Sequence, residues 1–229
     1  FAYQRADKIT VLFDAFQGLS ACRFKHKVST IHNPVLTPPC QKTVDQVPVP
    51  GKTLTFIALS RLAKSKRLDL MLELFAQFHA RYPDTQLKIF GEGKERESLK
   101  AKIIELDLQD AAFLSPGIRN IYEELCQADI YLMTSRYEGF PNALVEALSV
   151  GLPAIVFECH AGMKEIIQQG ENGLLIQEGD RAGYIQAMEQ LMFDQALYQK
   201  ISSKARSVTQ QFSFENFYSD WDRLIQEFQ

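Results

Sequence analysis

From residue 53 onward the chain alternates between two apolar patterns. Short, near-continuous runs rich in Val, Ile, Leu and Phe occupy 53–59, 86–90, 111–114, 130–133, 154–157 and 173–176. Between them, 68–82, 99–108, 121–128, 141–150 and 164–168 space their apolar residues three and four apart. A continuous run predicts a strand buried on both faces, and three-four spacing predicts a helix with one apolar stripe. Strands alternating with helices are βαβ units, which predicts an α/β, doubly wound, Rossmann-like domain with a parallel sheet. Ligands in that architecture bind outside the carboxyl ends of the strands. The loops at 60–66, 91–93, 115–120, 134–142 and 158–163 are therefore expected to converge on one crevice.

The two ends read differently. Segments 8–13 and 27–32 are strand-like, and Asp14 is placed to cap a short helix running to Phe24. Pro38-Pro39, Pro48 and Pro50-Gly51 make 38–51 the most linker-like stretch. The expected organisation is a partial unit at 1–37, a linker at 38–51, the main domain at 52–205 and a terminal helix within 206–229. That helix, at 213–228, aligns Phe214, Phe217, Trp221, Leu224, Ile225 and Phe228 at steps of three and four. So much aromatic surface on one terminal helix must cover something, and part of it is expected to be exposed or covered by another molecule.

A length of 229 residues suits one full domain plus a partial attachment, and 46% hydrophobic with 23% charged residues excludes a disordered chain. The longest uncharged apolar stretch, 147–157, is broken by Ser149, Gly151 and Pro153 and falls short of the roughly 18 residues of a membrane span. The charged start, with Arg5 and Asp7, does not read as a signal peptide, and the chain reads as a piece of a longer one. A net charge of -3 argues against nucleic acid as a partner. Residues 1–50 nevertheless hold six cations against three carboxylates, either a solvated face or a contact with an anionic membrane or partner. Cys22, Cys40, Cys126 and Cys159 form no CxxC pair and no metal spacing, which suggests buried thiols in a reducing compartment.

Three segments carry candidate chemistry. Ser60 to Lys66 follows a predicted strand, and Arg61 with Lys66 puts two cations at the crevice, suited to a diphosphate or equally to a solvated loop. Gly91-Glu92-Gly93 permits close backbone approach to a ligand or forms an ordinary tight turn; with Arg96 in place of a third glycine it is not a dinucleotide fingerprint. The third segment, 135–148, brings a strand end, a turn at Gly139 and Pro141 at a helix start, with Glu138 ahead of the helix and Glu146 inside it. Free N–H groups at such a helix mouth face the crevice, and carboxylates accept hydrogen bonds from sugar or ribose hydroxyls. Two ordinary surface glutamates are the alternative.

Glu138 and Glu146, separated by seven residues within EGFPNALVE, resemble the EX7E motif of the retaining nucleotide-sugar glycosyltransferases of the GT-B fold, family 4. The resemblance spans 51–180 and includes SRLAKSKRLDLMLELF at 60–75, IFGEG at 89–93, Ala128-Asp129-Ile130, SRYEGFPN at 135–142, EALSVGLPAIV at 146–156 and ENGLLIQEGD at 171–180. Residues 1–36 resemble the end of the family's N-terminal lobe, so the chain resembles the C-terminal half of a GT-B fold; the resemblance implies that the final helix, within 206–229, crosses back toward that lobe and packs partly against residues 1–36.

The resemblance implies that Arg61 and Lys66 hold the donor diphosphate, Glu146 the ribose hydroxyls and Glu138 the transferred sugar. It places Gly139, Phe140, Pro141, Asn142 and Ala143 at the sugar and phosphate, the N–H groups of Phe140, Asn142 and Ala143 among them, and Gly117, Ile118 and Arg119 at the nucleobase. Gly91 and His160 are further candidates at the crevice. No metal or other cofactor is implied, because two cations and a helix N-terminus can stabilise a departing diphosphate. Two departures stand out. Ser60 replaces the usual Gly before Arg61, and 159–165 replaces the commoner Gly-Gly loop.

The implied activity is retaining sugar transfer from a nucleotide-diphosphate donor to a saccharide or lipid-linked acceptor held through the missing N-terminal lobe. Bacterial polysaccharide or lipopolysaccharide synthesis is the implied setting, and the cytoplasm or the inner face of the membrane the implied place. The alternative is a nucleotide-sugar-binding module without turnover.

Overall fold

The computed structural model describes residues 5–17, 22–43 and 52–228. The first of these segments hold β1 (Ile9–Val11), a single helical turn α1 (Asp14–Gln17), a 3-10 turn (Cys22–Lys27) and β2 (Val28–Thr30). Strands β1 and β2 pair in parallel, Ile9 opposite Val28. Of the helix expected from Asp14 to Phe24, Asp14–Gln17 is helical and residues 18–21 lie outside the described residues; the expectation is corrected from Cys22, where the chain forms the 3-10 turn feeding β2. Phe13 is fully buried, and Leu12 and Phe16 pack partly buried against the same core, Phe16 edge-on to Phe13 at 5.4 Å.

The main domain runs β3 (Leu54–Leu59), α2 (Leu68–His79), β4 (Thr85–Phe90), α3 (Arg96–Glu105), β5 (Ala112–Ser115), α4 (Tyr122–Gln127), β6 (Ile130–Met133), α5 (Asn142–Ser149), β7 (Ala154–Glu158), α6 (Met163–Ile166) and β8 (Leu174–Gln177). The six strands are all parallel, in the order β5-β4-β3-β6-β7-β8. The first half winds outward from β3, then the chain crosses back to lay β6 against β3, with Phe56 opposite Ile130 and Ile57 opposite Tyr131. The switch point of this doubly wound sheet therefore lies between β3 and β6.

Both faces are buried because successive side chains point opposite ways. Phe56, Ile130, Leu132, Ile155 and Phe157 join one core with α2 and α7 (Arg181–Phe193). Ile57, Tyr131, Met133, Ala154 and Val156 join the other with α5. The near-continuous apolar runs of the sequence are this two-sided burial. The chain then continues through α8 (Gln195–Ala205), α9 (Val208–Gln211) and α10 (Phe214–Gln226).

Of the linker-like stretch, 44–51 with Pro48, Pro50 and Gly51 lies outside the described residues, while 38–43 is pinned down. The Lys42 N–H donates to the Val150 carbonyl at 2.8 Å, and Arg206 donates to the Lys42 carbonyl. The Lys42 ammonium, 2% exposed, donates to the Ala128 carbonyl at 2.5 Å and lies 3.4 Å from Asp129 Oδ1. Asp129 Oδ2 in turn accepts from the Thr55 N–H at 2.9 Å. Two residues upstream, Cys40 forms a disulfide with Cys126, their Cα atoms 6.7 Å apart. The expectation of reduced thiols is corrected for this pair. The bridge spans 86 residues, a proximity created by α4 folding over the linker and invisible to local spacing. Cys159 is a free thiol, and burial pushes its pKa up to about 11.

Helix α10 starts where the Ser213 hydroxyl accepts from the Asn216 N–H, a helix cap. Of its six aligned apolar residues only Leu224 is buried, and Ile225 and Phe228 are half exposed or more. Phe217 contacts Phe214 and Trp221 edge-on, and a Lys8–Glu227 ion pair ties the helix to the N-terminal segment.

Candidate functional site

A cavity of about 370 Å³ opens at the switch point, between the carboxyl ends of β3 and β6. Ser60, Arg61 and Lys66 line it from the loop after β3; Ser135 and 138–143 line it from the loop after β6 and the start of α5. These two loops are bonded together. The Arg136 N–H donates to the Ser65 carbonyl at 2.8 Å, and the buried Thr134 hydroxyl is shared between the carbonyls of Lys66 (3.1 Å) and Arg67 (2.9 Å). Arg67 takes a left-handed conformation, φ 51°, which costs an L-residue roughly 1–2 kcal/mol and persists only under such outside restraint. The strain turns the chain sharply between Lys66 and α2, so that the ammonium points back into the cavity.

There Lys66 meets Glu138. Its Nζ lies 2.6 Å from Oε1 and 2.7 Å from Oε2, and the Ser135 hydroxyl donates to Oε1 at 2.6 Å. Glu138 is 8% exposed and Ser135 2%, so the carboxylate is largely removed from water and its charge is matched by the ammonium. Arg61, by contrast, is exposed and has no ionic partner among the described residues. The site thus offers one free cation, one cation held by a carboxylate, and the mouth of an eight-residue helix. Such a set favours an anion flanked by hydroxyl groups.

Not every expected residue comes to this cavity. The glycines at 91 and 93 do approach backbone closely, but that backbone is the neighbouring loop's. A Cβ on Gly91 would lie 1.9 Å from the Ser60 carbonyl oxygen, and one on Gly93 2.2 Å from that of Leu62. Gly117, Ile118 and Arg119 are exposed on the loop after β5, outside the cavity lining. Glu146 lines a neighbouring cavity of about 340 Å³ with Asn33, Leu36, Tyr122, Asn142 and Phe214; burial raises its pKa. The Asn142 N–H, expected to be free, donates to the Phe140 carbonyl at 3.0 Å, and the Asn142 side chain accepts from that of Asn33 at 3.2 Å.

Residues before 38 seal one flank. The Phe13 ring stacks on Phe140 at 5.2 Å, and Gly162 leaves room for it, since a Cβ there would lie 2.6 Å from the ring. The Glu165 carboxylate accepts from the N–H groups of Asp14 (3.0 Å) and Ala15 (2.9 Å). His160 packs against Phe13 and Phe16, and burial lowers its pKa, opposed by the backbone and charge of Glu138 and the charge of Glu165. Sequence reasoning missed Ser135, Thr134 and the Lys42–Asp129 pair. Only the strand-end position of Thr134-Ser135 signalled the first two. Among the described residues, no group of three or more His, Cys, Asp or Glu could hold a metal ion, and no helix is long and apolar enough to cross a membrane.

The model of the family described as Glycosyl transferases group 1 matches residues 41–208. The chain belongs to this glycosyltransferase family. Within it, the chain is 28% identical over 225 residues to an uncharacterized glycosyltransferase of Haemophilus influenzae, covering 98% of this chain and 62% of that protein. It is 36% identical over 165 residues to a lipopolysaccharide 1,6-galactosyltransferase of Escherichia coli, covering 69% of this chain and 44% of that protein. In three dimensions it resembles Anabaena HepE, solved in complex with UDP-glucose, with a TM-score of 0.85, 19% identity, and coverage of 98% of this chain and 65% of HepE. This glycosyltransferase chain therefore spans less than two thirds of each of these relatives.

Proposed function

We propose that this chain is the donor-binding, C-terminal half of a retaining family 4 glycosyltransferase of the GT-B fold, acting in polysaccharide or lipopolysaccharide synthesis. The observation that carries the reading is the meeting of Arg61, Lys66 and Glu138 in one cavity at the switch point, beside the N-terminus of α5. Arg61 and Lys66 take the diphosphate of a nucleotide-sugar, Glu138 accepts hydrogen bonds from the sugar, and Glu146 serves the ribose from the adjoining cavity. Gly117, Ile118 and Arg119 reach the base, with His160 at the crevice flank. No side chain is assigned as a covalent nucleophile. The bond from the anomeric carbon to the phosphate oxygen breaks, with its electron pair leaving on the phosphate. The acceptor oxygen bonds the same carbon from the same face, and its proton passes to the departing phosphate. Arg61, Lys66 and the helix N-terminus stabilise that departing charge without requiring a metal.

The saccharide or lipid-linked acceptor is held by the family's N-terminal lobe, whose end residues 1–37 resemble. A second reading is a binding module without turnover, since transfer needs an acceptor positioned and water excluded, and the N-terminal lobe would supply the acceptor contacts. Calorimetry of this chain with UDP, GDP, ADP and their glucose conjugates tests donor binding, and product NMR on the longer protein tests retention. Binding without transfer by the longer protein supports the module. Absence of binding to every nucleotide refutes both readings and leaves a lobe retained for assembly. The basic excess within residues 1–50 supports contact with the anionic inner face of a membrane, and with it a cytoplasmic protein.

A further inference from the structure

The contacts around Glu138 are unequal in a way that assigns separate duties to its two oxygens. Oε1 receives two donors, the Lys66 ammonium and the Ser135 hydroxyl, both at 2.6 Å. Oε2 receives one, the Lys66 ammonium at 2.7 Å. Lys66 is also one of two side-chain cations lining the cavity, so a bound diphosphate competes with Glu138 for it. When the ammonium turns to phosphate, Oε1 keeps the Ser135 hydroxyl while Oε2 loses its only donor among the described residues. A carboxylate oxygen this deeply buried and left bare is costly, and a hydroxyl group of the ligand is the partner at hand.

We infer that Ser135 is a positioning residue that holds Glu138 by Oε1 while Lys66 is handed from the carboxylate to the donor diphosphate, so that Oε2 is the oxygen presented to the sugar. This inference rests on the proposed donor site and assigns Ser135 no contact with substrate. The geometry favours it over a purely structural role. Ser135 is 2% exposed at the end of β6, where the neighbouring Thr134 already spends its own hydroxyl on the Lys66–Arg67 turn. The two adjacent hydroxyls thus fix the two partners separately, Thr134 the backbone that carries Lys66 and Ser135 the carboxylate that Lys66 leaves. In the empty site Lys66 alone suffices to hold Glu138, so loss of the Ser135 hydroxyl is felt mainly once a diphosphate has drawn the ammonium away.

The test uses this 229-residue chain, as wild type, Ser135→Ala and Ser135→Thr, titrated calorimetrically with UDP, GDP, ADP and the corresponding glucose conjugates. For the nucleotide that wild type binds, Ser135→Ala is expected to weaken the sugar conjugate roughly tenfold more than the free diphosphate, the scale of a hydrogen bond to a charged group. Ser135→Thr, which keeps the hydroxyl, is expected to restore the wild-type ratio. A Ser135→Ala variant that weakens diphosphate and conjugate equally, or neither, overturns the inference while leaving the donor site standing. So does a Ser135→Thr variant that, with an unchanged urea midpoint, behaves like Ser135→Ala. Wild type binding none of the six ligands overturns the donor-site reading and this inference with it.

Discussion

Arg61 and Lys66 line the same cavity, yet removing each is expected to cost differently. Arg61 is exposed and has no ionic partner among the described residues, so Arg61→Ala gives up its charge-assisted bonds to a diphosphate with nothing regained. Hydrogen bonds to charged groups are worth about 1.5–3 kcal/mol, and a loss of about 2 kcal/mol weakens Kd roughly thirtyfold. Lys66 must first release Glu138, two contacts of 2.6 and 2.7 Å in a site where the two side chains are 14% and 10% exposed. The attraction gained at the phosphate is offset by the attraction lost at the carboxylate. Lys66→Ala is therefore expected to cost at most about 1 kcal/mol of diphosphate affinity. Its larger effect is on the empty protein: a buried carboxylate stripped of its cation and left with Ser135 alone lowers unfolding stability by about 3 kcal/mol. Calorimetric titration of the two variants with free nucleoside diphosphate, beside urea unfolding of each, separates these quantities. Lys66→Ala losing as much diphosphate affinity as Arg61→Ala, with an unchanged urea midpoint, refutes the exchange argument.

Lys42→Met leaves Asp129 without its cation and is expected to cost about 3 kcal/mol in urea unfolding. Burial holds the Lys42 pKa below its solution value of 10.5, so the unfolded chain binds more protons between the two values and wild-type stability rises with pH there. The gap between wild type and Lys42→Met should widen as pH climbs from neutrality toward 10, and a gap that narrows contradicts the assigned burial. Gly91→Ala forces a Cβ to within 1.9 Å of the Ser60 carbonyl oxygen, so the loop carrying Arg61 has to move; loss of both thermal stability and diphosphate binding is expected, and wild-type values for both would disprove the loop contact. Under non-reducing conditions peptide mapping should link Cys40 to Cys126, and Cys126→Ser should lower stability by about 2–4 kcal/mol, an effect absent when both proteins are measured in excess thiol. Alkylation of both cysteines without prior reduction would rule out the bridge.

Some of this molecule is written locally in its sequence. The runs that became β3 and β6 are legible because a strand buried on both faces must be apolar at nearly every position, and α2 because its stripe repeats every three or four residues. The order of such elements was enough to anticipate a doubly wound sheet, and with it a crevice at the carboxyl ends of the strands. Arg61, Lys66 and Glu138 could be placed there because each lies on a loop that follows a strand end. What the sequence could not supply was which groups meet. Lys66 and Glu138 are 72 residues apart, Cys40 and Cys126 86, and Lys42 and Asp129 87, so no local period links them. Gly91 likewise reads locally as ligand approach or tight turn, and only packing sets the Ser60 carbonyl beneath it. Nor did any spacing reveal that Glu146 faces a different cavity from Glu138. Burial periodicity is a property of single elements, whereas ion pairs, disulfides and shared cavities arise only when packing closes long loops, and that closure is decided by the tertiary structure alone.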